Sequence, residues 1–228
     1  MNNGERSTIM FNGECSTMKS MQVKVCGMRE AQNIREVEAL GIDLMGFIFW
    51  PKSSRYVSER PDYLPTQCKR VGVFVDEAVP QVVDTVCSYA LHAVQLHGHE
   101  SPDDIRRLRT ALSTASLSPA LIKAFNIATA DDLVQTQVYD ALVDAFLFDT
   151  KGRSVGGNGE KFDWRVLRHY TGDTPFLLSG GIGPDDADRV SAFRHPRCIG
   201  IDVNSRFECS PGKKDVEAIR TFLQKVRR

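Results

Sequence analysis

Two short apolar runs in this sequence each stop on a reactive side chain. Val23-Lys24-Val25-Cys26-Gly27 ends at a thiol, and Ala145-Phe146-Leu147-Phe148-Asp149-Thr150 ends at a carboxyl. A thiol and a carboxyl can serve as base and acid across one pocket, provided the fold brings the two runs together. A positioned acid or base contributes about 10²–10⁴-fold, or about 3–5.5 kcal/mol off a barrier. The thiol is the unusual member, because a free cysteine with a pKa of about 8.5 is only slightly ionised at neutral pH. Lys24 lies two residues before Cys26 and shares its face of a strand. It would either favour the thiolate or pair with a carboxylate that the sequence does not identify.

Other residues are suited to holding a substrate. Arg55, after Trp50-Pro51-Lys52-Ser53-Ser54, offers a planar fork for a carboxylate, although a lone arginine is more often a surface charge. His97 closes Val94-Gln95-Leu96-His97-Gly98, where a single histidine more often packs or hydrogen-bonds than acts as a base. No second histidine or carboxylate lies at metal-ligand spacing, which argues against zinc. The paired glycines of Leu178-Ser179-Gly180-Gly181-Ile182-Gly183-Pro184 let backbone N–H groups approach an anion, and in isolation would be no more than a tight turn. Asp202-Val203-Asn204-Ser205-Arg206 adds side-chain donors and a charge. The glycine cluster Gly152–Gly159 lacks the Lys-Ser/Thr end of a P-loop and reads as a flexible lid or an ordinary surface loop.

Positioning these groups falls to apolar strand candidates that recur at intervals of roughly 25 residues: Val23–Cys26, Gly46–Phe49, Val71–Val75, Ala93–Leu96, Leu121–Ala124, Ala145–Asp149, Phe176–Ser179 and Cys198–Val203. Their near-continuous apolar character suits a parallel sheet covered on both faces. Helical stripes lie between them. Ile34, Val37 and Leu40 are closed by Gly41, Val82, Val83 and Val86 follow Pro80, and Ile105, Leu108 and Leu112 follow the cap Ser101-Pro102. Thr129, Asp163 and Pro184 open three more helices, and the last carries Val216, Ile219, Phe222, Leu223 and Val226. Between the second and third strands, Pro61 and Pro65 leave room for little more than a turn or two.

Eight strands alternating with helices predict a single-domain (β/α)₈ TIM barrel over residues 21–228, after a polar segment, 1–20, that reads as a flexible tail with Met18 or Met21 as alternative starts. An open doubly wound sheet would carry a glycine-rich fingerprint after its first strand, and Cys26-Gly27-Met28-Arg29 is not one. Barrels present reactive strand ends on one face and bind phosphate with the loops after strands seven and eight. That placement turns Gly180-Gly181 and Asn204-Ser205 into an expected phosphate site, and makes a phosphorylated small molecule the expected partner.

With 42% hydrophobic and 25% charged residues, the 228-residue chain can bury one sizeable core. A formal net charge of zero provides no bulk attraction to nucleic acid or an anionic membrane, so neither is expected as a partner. No stretch approaches the roughly 20 apolar residues of a membrane helix, and Met1 to Ser20 lacks the apolar core of a signal peptide. Six scattered cysteines without a C-x-x-C pair suit a reducing cytoplasm. Monomer and homodimer both remain open.

The residues resemble phosphoribosylanthranilate isomerase of tryptophan biosynthesis from about Val23 to the C-terminal helix. The resemblance rests on Lys24-Val25-Cys26-Gly27, Gly46-Phe47-Ile48-Phe49 with Ser54-Arg55-Tyr56-Val57, Val71-Gly72-Val73-Phe74 and Gln95-Leu96-His97-Gly98. It continues through Asp149-Thr150 with Gly156-Gly157-Asn158-Gly159, Phe162-Asp163-Trp164, Ser179-Gly180-Gly181 and Pro211-Gly212-Lys213-Lys214-Asp215. It implies a cofactor-free, metal-free Amadori rearrangement of N-(5-phosphoribosyl)anthranilate. In that reaction Asp149 would be the general acid and Cys26 the general base. Arg55 would hold the anthranilate carboxylate, with His97 beside the substrate. Gly180, Gly181, Asp202, Asn204 and Ser205 would bind at the phosphate end.

Two positions depart from the family pattern. Arg206 stands where glycine is usual, which puts the backbone of the loop after strand eight in question, and Asn158 replaces threonine or serine. Rival readings are the dual-substrate isomerase that also serves histidine biosynthesis, which is expected to carry an aspartate at the position of Cys26, a non-catalytic phosphate-binding barrel, and a thiol redox protein. A binding barrel needs no acid-base pair, and no resolving cysteine lies near Cys26 in sequence.

Overall fold

Eight parallel strands close on themselves in chain order. They are β1 (Gln22–Cys26), β2 (Leu44–Ile48), β3 (Lys69–Phe74), β4 (Ala93–Leu96), β5 (Ala120–Ile127), β6 (Ala145–Thr150), β7 (Phe176–Ser179) and β8 (Cys198–Val203). The ring is completed by β1 pairing with β8, with Lys24 opposite Asp202. This computed structural model describes residues 21–150 and 163–227. The segment 1–20 and the glycine cluster 152–159, Asn158 included, lie outside the described residues.

Strand alternation divides the side chains into two cores. Val23 and Val25 of β1, Phe146 and Phe148 of β6, and Ile201 and Val203 of β8 face outward into the layer packed under the helices. Leu44, Val71, Ala93, Ile122, Leu147 and Leu177, drawn from β2 to β7, form a second cluster that fills the barrel. The residues that alternate with the outward set, Lys24, Cys26, Asp149 and Asp202, therefore share the inward face.

The helices are α1 (Ala31–Glu38), α2 (Val79–Tyr89), α3 (Pro102–Thr114), α4 (Ala187–Ala192) and α5 (Val216–Val226). Their ends follow the sequence signals. Ser101 Oγ accepts from the Asp104 N–H at 3.2 Å while the Asp104 carboxylate accepts from the Ser101 N–H at 2.8 Å, a reciprocal cap at the start of α3. Gly41 takes φ +74° after α1, and Asp215 caps α5 by accepting from the Ala218 N–H at 3.0 Å.

Two expected α-helices are 3-10 segments instead, Ala130–Tyr139 and Trp164–His169. The first buries only Leu133 and Thr136 and leaves Val134 and Val138 exposed, so it lacks the continuous apolar face that stabilises an α-helix by packing. Between β2 and β3 the described residues contain no helix. There Glu38, at the end of α1, accepts the Thr66 N–H at 2.6 Å together with the Gln67 N–H and the Tyr63 hydroxyl, which fixes the irregular connection. A short antiparallel hairpin, β9 (Glu208–Ser210) and β10 (Lys213–Lys214), follows β8 and turns at Pro211-Gly212, where Gly212 takes φ +86°. The strand pattern gives no sign of it, because each arm is only two or three residues long.

Candidate active site

The barrel opens at the C-terminal ends of its strands into a cavity of about 230 Å³. Cys26, His97, Asp149, Gly180, Gly181, Asp202, Asn204 and Ser205 all line it, and Arg55 does not. Cys26 ends β1 and Asp149 lies at the end of β6, so β7 and β8, with the two expected phosphate loops, fill the arc of the ring between them.

Cys26 is almost fully buried and sits above a charged pair. Lys24, wholly buried, donates from Nζ to Asp202 Oδ1 at 2.7 Å, and Asp202 Oδ2 accepts from Ser179 Oγ at 3.0 Å. Burial disfavours the Lys24 charge, but Asp202 and Cys26 beside it outweigh that and raise its pKa. Lys24 thus pairs with a barrel carboxylate and lies close enough to Cys26 to act on its thiol. Desolvation pushes the Cys26 thiol up; Lys24 and Lys214 pull it down, Asp202 adds to the rise, and the net direction is upward. That direction favours the thiol over the thiolate.

On the opposite side, His97 Nε2 lies 3.9 Å from Asp149 Oδ2. The Gln95 amide nitrogen is 2.9 Å from His97 Nδ1; when it donates there, the imidazole proton is left on Nε2, toward Asp149. Burial lowers the His97 pKa despite the nearby Asp149 carboxyl, so the ring is neutral at pH 7.

At the glycine-rich end, Gly180 and Gly181 take φ +97° and +65°. A side chain at Gly181 would meet nothing within 4 Å, so the left-handed backbone, not space, demands glycine there. Arg206 lines the same end of the cavity and lies across Gly183, whose Cβ would stand 3.5 Å from the Arg206 stem. Its backbone belongs to the 3-10 turn Ser205–Phe207 and needs no positive φ, which removes the objection to an arginine at a position usually held by glycine.

Arg55 is engaged elsewhere. Its Nε and Nη2 donate to the Glu208 carboxylate at 2.8 and 2.6 Å, which raises its pKa. Its stem crosses Gly27, where a Cβ would come within 2.7 Å of Arg55 Cδ, so the arginine is held over the residue that follows Cys26. Glu208 in turn accepts from Lys214 Nζ at 2.6 Å, and Lys214 also donates to Asn204 Oδ1 at 2.7 Å.

Residues 23–225 match the profile of the family described as N-(5'phosphoribosyl)anthranilate (PRA) isomerase. The chain belongs to that family. Its relatives include the N-(5'-phosphoribosyl)anthranilate isomerases of Phocaeicola vulgatus, 46% identical over 91% of this chain and 98% of the relative, and of Parabacteroides distasonis, 47% identical over 90% and 93%. A crystal structure of phosphoribosyl anthranilate isomerase in complex with reduced 1-(o-carboxyphenylamino)-1-deoxyribulose 5-phosphate superposes with a TM-score of 0.73 at 30% identity, covering 90% of this chain and 98% of the other.

Within this phosphoribosylanthranilate isomerase fold, sequence reading misses three participants. Gln95 is buried with its Oε1 lacking a hydrogen-bond partner among the described residues, although it borders the cavity. Glu208 and Lys214 lie in the hairpin that strand patterns do not reveal. The available signal was local: a glutamate four residues past Asn204 and a Pro-Gly turn leading into Lys214.

Proposed function

We infer that this chain converts N-(5-phosphoribosyl)anthranilate into 1-(2-carboxyphenylamino)-1-deoxyribulose 5-phosphate, an aldose-ketose isomerisation of tryptophan biosynthesis. Asp149 gives a proton to the ribose ring oxygen as the C1–O bond breaks and the anthranilate nitrogen forms an iminium with C1. The Cys26 thiolate then takes the proton from C2. The C–H electron pair forms C1=C2 while the iminium electrons return to nitrogen, and the resulting enaminol tautomerises to the ketone.

The observation that carries this reading is the placement of a thiol and a carboxyl around one cavity, with a glycine-rich anion loop on the arc between them. Gly180, Gly181 and Ser205, with Arg206, receive the phosphate, and Arg55 receives the anthranilate carboxylate. Anchoring both anionic ends fixes the sugar between acid and base. Asp202 serves chiefly by holding Lys24 under Cys26. The rise in the Cys26 pKa implies that the reactive thiolate is a minor species. A reducing cytoplasm, where this thiol stays free, is the compartment that suits it.

Purified protein mixed with freshly generated phosphoribosylanthranilate tests the reading through loss of anthranilate fluorescence. Decay proportional to enzyme concentration is expected, with the histidine-pathway aminoaldose left unconverted in parallel. Decay at the spontaneous rate alone overturns it.

A further inference from the structure

Arg55 meets Glu208 along one edge of its guanidinium. Nε donates to Oε1 at 2.8 Å and to Oε2 at 3.0 Å, and Nη2 donates to Oε2 at 2.6 Å. An arginine has a second edge, formed by Nη1 and Nη2. Among the described residues, the one side-chain acceptor on that edge is Ser54 Oγ, 3.4 Å from Nη1. The Glu208 side chain is 4% exposed and also accepts from the Gly212 N–H at 3.1 Å. Burial works against its charge, but the Arg55 and Lys214 hydrogen bonds hold its pKa below the usual carboxylate range.

The charge balance gives this arrangement its meaning. Alone, Glu208 would neutralise Arg55 and compete with any incoming carboxylate. Lys214, whose side chain is fully buried, brings a second cation to the same carboxylate. Two cations against one anion leave one positive charge for a ligand. Lys214 also grips Asn204 on the cavity wall, so the hairpin ties the carboxylate end to the loop after β8.

We propose that Glu208, braced by Lys214 and the Gly212 N–H, is a positioning residue that locks the Nε/Nη2 edge of Arg55 and reserves its Nη1/Nη2 edge for the anthranilate carboxylate. The β9–β10 hairpin is then a specificity device for the acid-bearing ring of the substrate. The proposal rests on the reading of Arg55 as the carboxylate clamp.

The test compares inhibition by the reduced product, which keeps the ring carboxylate, with inhibition by its phenylamino counterpart, which lacks it. The wild type is expected to prefer the carboxylate-bearing compound by about ten- to a hundredfold, the range for a charge-assisted hydrogen-bonded contact. Glu208→Gln leaves more net positive charge at the site but no longer holds the Nε/Nη2 edge of Arg55. It should therefore still lose most of that preference while binding the carboxylate-free compound as the wild type does. A preference that rises instead shows that charge alone matters and overturns the positioning role. Lys214→Met, which leaves Arg55 neutralised by Glu208, should lose it too, and decides the matter if Glu208→Gln does not fold. Full preference in these variants, or equal weakening for both compounds, overturns the positioning role. Full preference in Arg55→Met overturns the clamp reading beneath it, an outcome distinct from preference lost in Arg55→Met but kept in Glu208→Gln.

Discussion

Lys24 Nζ and Asp202 Oδ1 stand 2.7 Å apart in the barrel interior, at paired positions of β1 and β8. The pair joins the first strand to the last at the seam of the ring, and it sets the charge felt by Cys26, two residues on from Lys24. One ion pair thereby couples closure of the fold to the protonation of the proposed base.

Replacing one member should expose both roles. Lys24→Met leaves the Asp202 charge buried without its cation and is expected to cost about 3–5 kcal/mol of stability, the range for breaking a buried pair. It also removes the cation that favours the thiolate, so activity of the folded fraction should fall at least about tenfold at pH 7.5, the effect of a one-unit pKa rise. Lys24→Met/Asp202→Asn should regain stability in urea denaturation. A single mutant as stable as wild type contradicts the structural role.

The pH dependence of the reaction follows from the direction of the Cys26 shift. Desolvation raises this thiol above its ordinary value. Below the pKa the thiolate fraction grows about tenfold per pH unit, so single-turnover rates should climb steadily from pH 7 to 9. A flat profile over that interval means either that Cys26 is already ionised or that it is not the base.

Much of this site was legible in the sequence because barrels place chemistry at strand ends. Cys26 and Asp149 close apolar runs, and Gly180-Gly181 follows the seventh strand, so counting strands sufficed to bring them together. The helix types after β5 and β6 were not legible. Thr129 and Asp163 are sound caps, but the segments behind them bury too little apolar surface to hold an α-helix. The partner of Lys24 was hidden because only the register of β1 against β8 names Asp202. The Arg55–Glu208–Lys214 network was hidden for a similar reason: 153 residues separate Arg55 from Glu208.

Arg206 adds a cation at the glycine-rich end of the cavity. Arg206→Gly should raise KM for the phosphorylated substrate several-fold, on the order of one exposed charge contact, while leaving kcat close to wild type. The wild-type KM should also rise more steeply with ionic strength than the variant's, because salt screens a partly exposed charge. Identical KM values across a salt series would show that Arg206 faces solvent.

Acid should weaken the fold before its carboxylates titrate. His92, His97 and His195 all have pKa values lowered chiefly by burial. Below about pH 6.5 the unfolded chain binds protons that the folded chain refuses, so stability falls as pH drops through that value. The Glu38 and Glu208 contributions, from lowered pKa values, persist until pH falls below about 4.3. Urea midpoints should therefore decline between pH 7 and 5 with an unchanged m-value. A constant midpoint over that range contradicts the buried neutral histidines.

The division of labour between Cys26 and Asp149 is tested most directly by single-turnover kinetics of Cys26→Ala and Asp149→Asn, with the Kd of the reduced product measured alongside. Each substitution is expected to lower the rate by about 10²–10⁴-fold, the worth of one positioned acid or base, while the Kd stays within about threefold of wild type. Wild-type turnover in either variant would remove that residue from the mechanism.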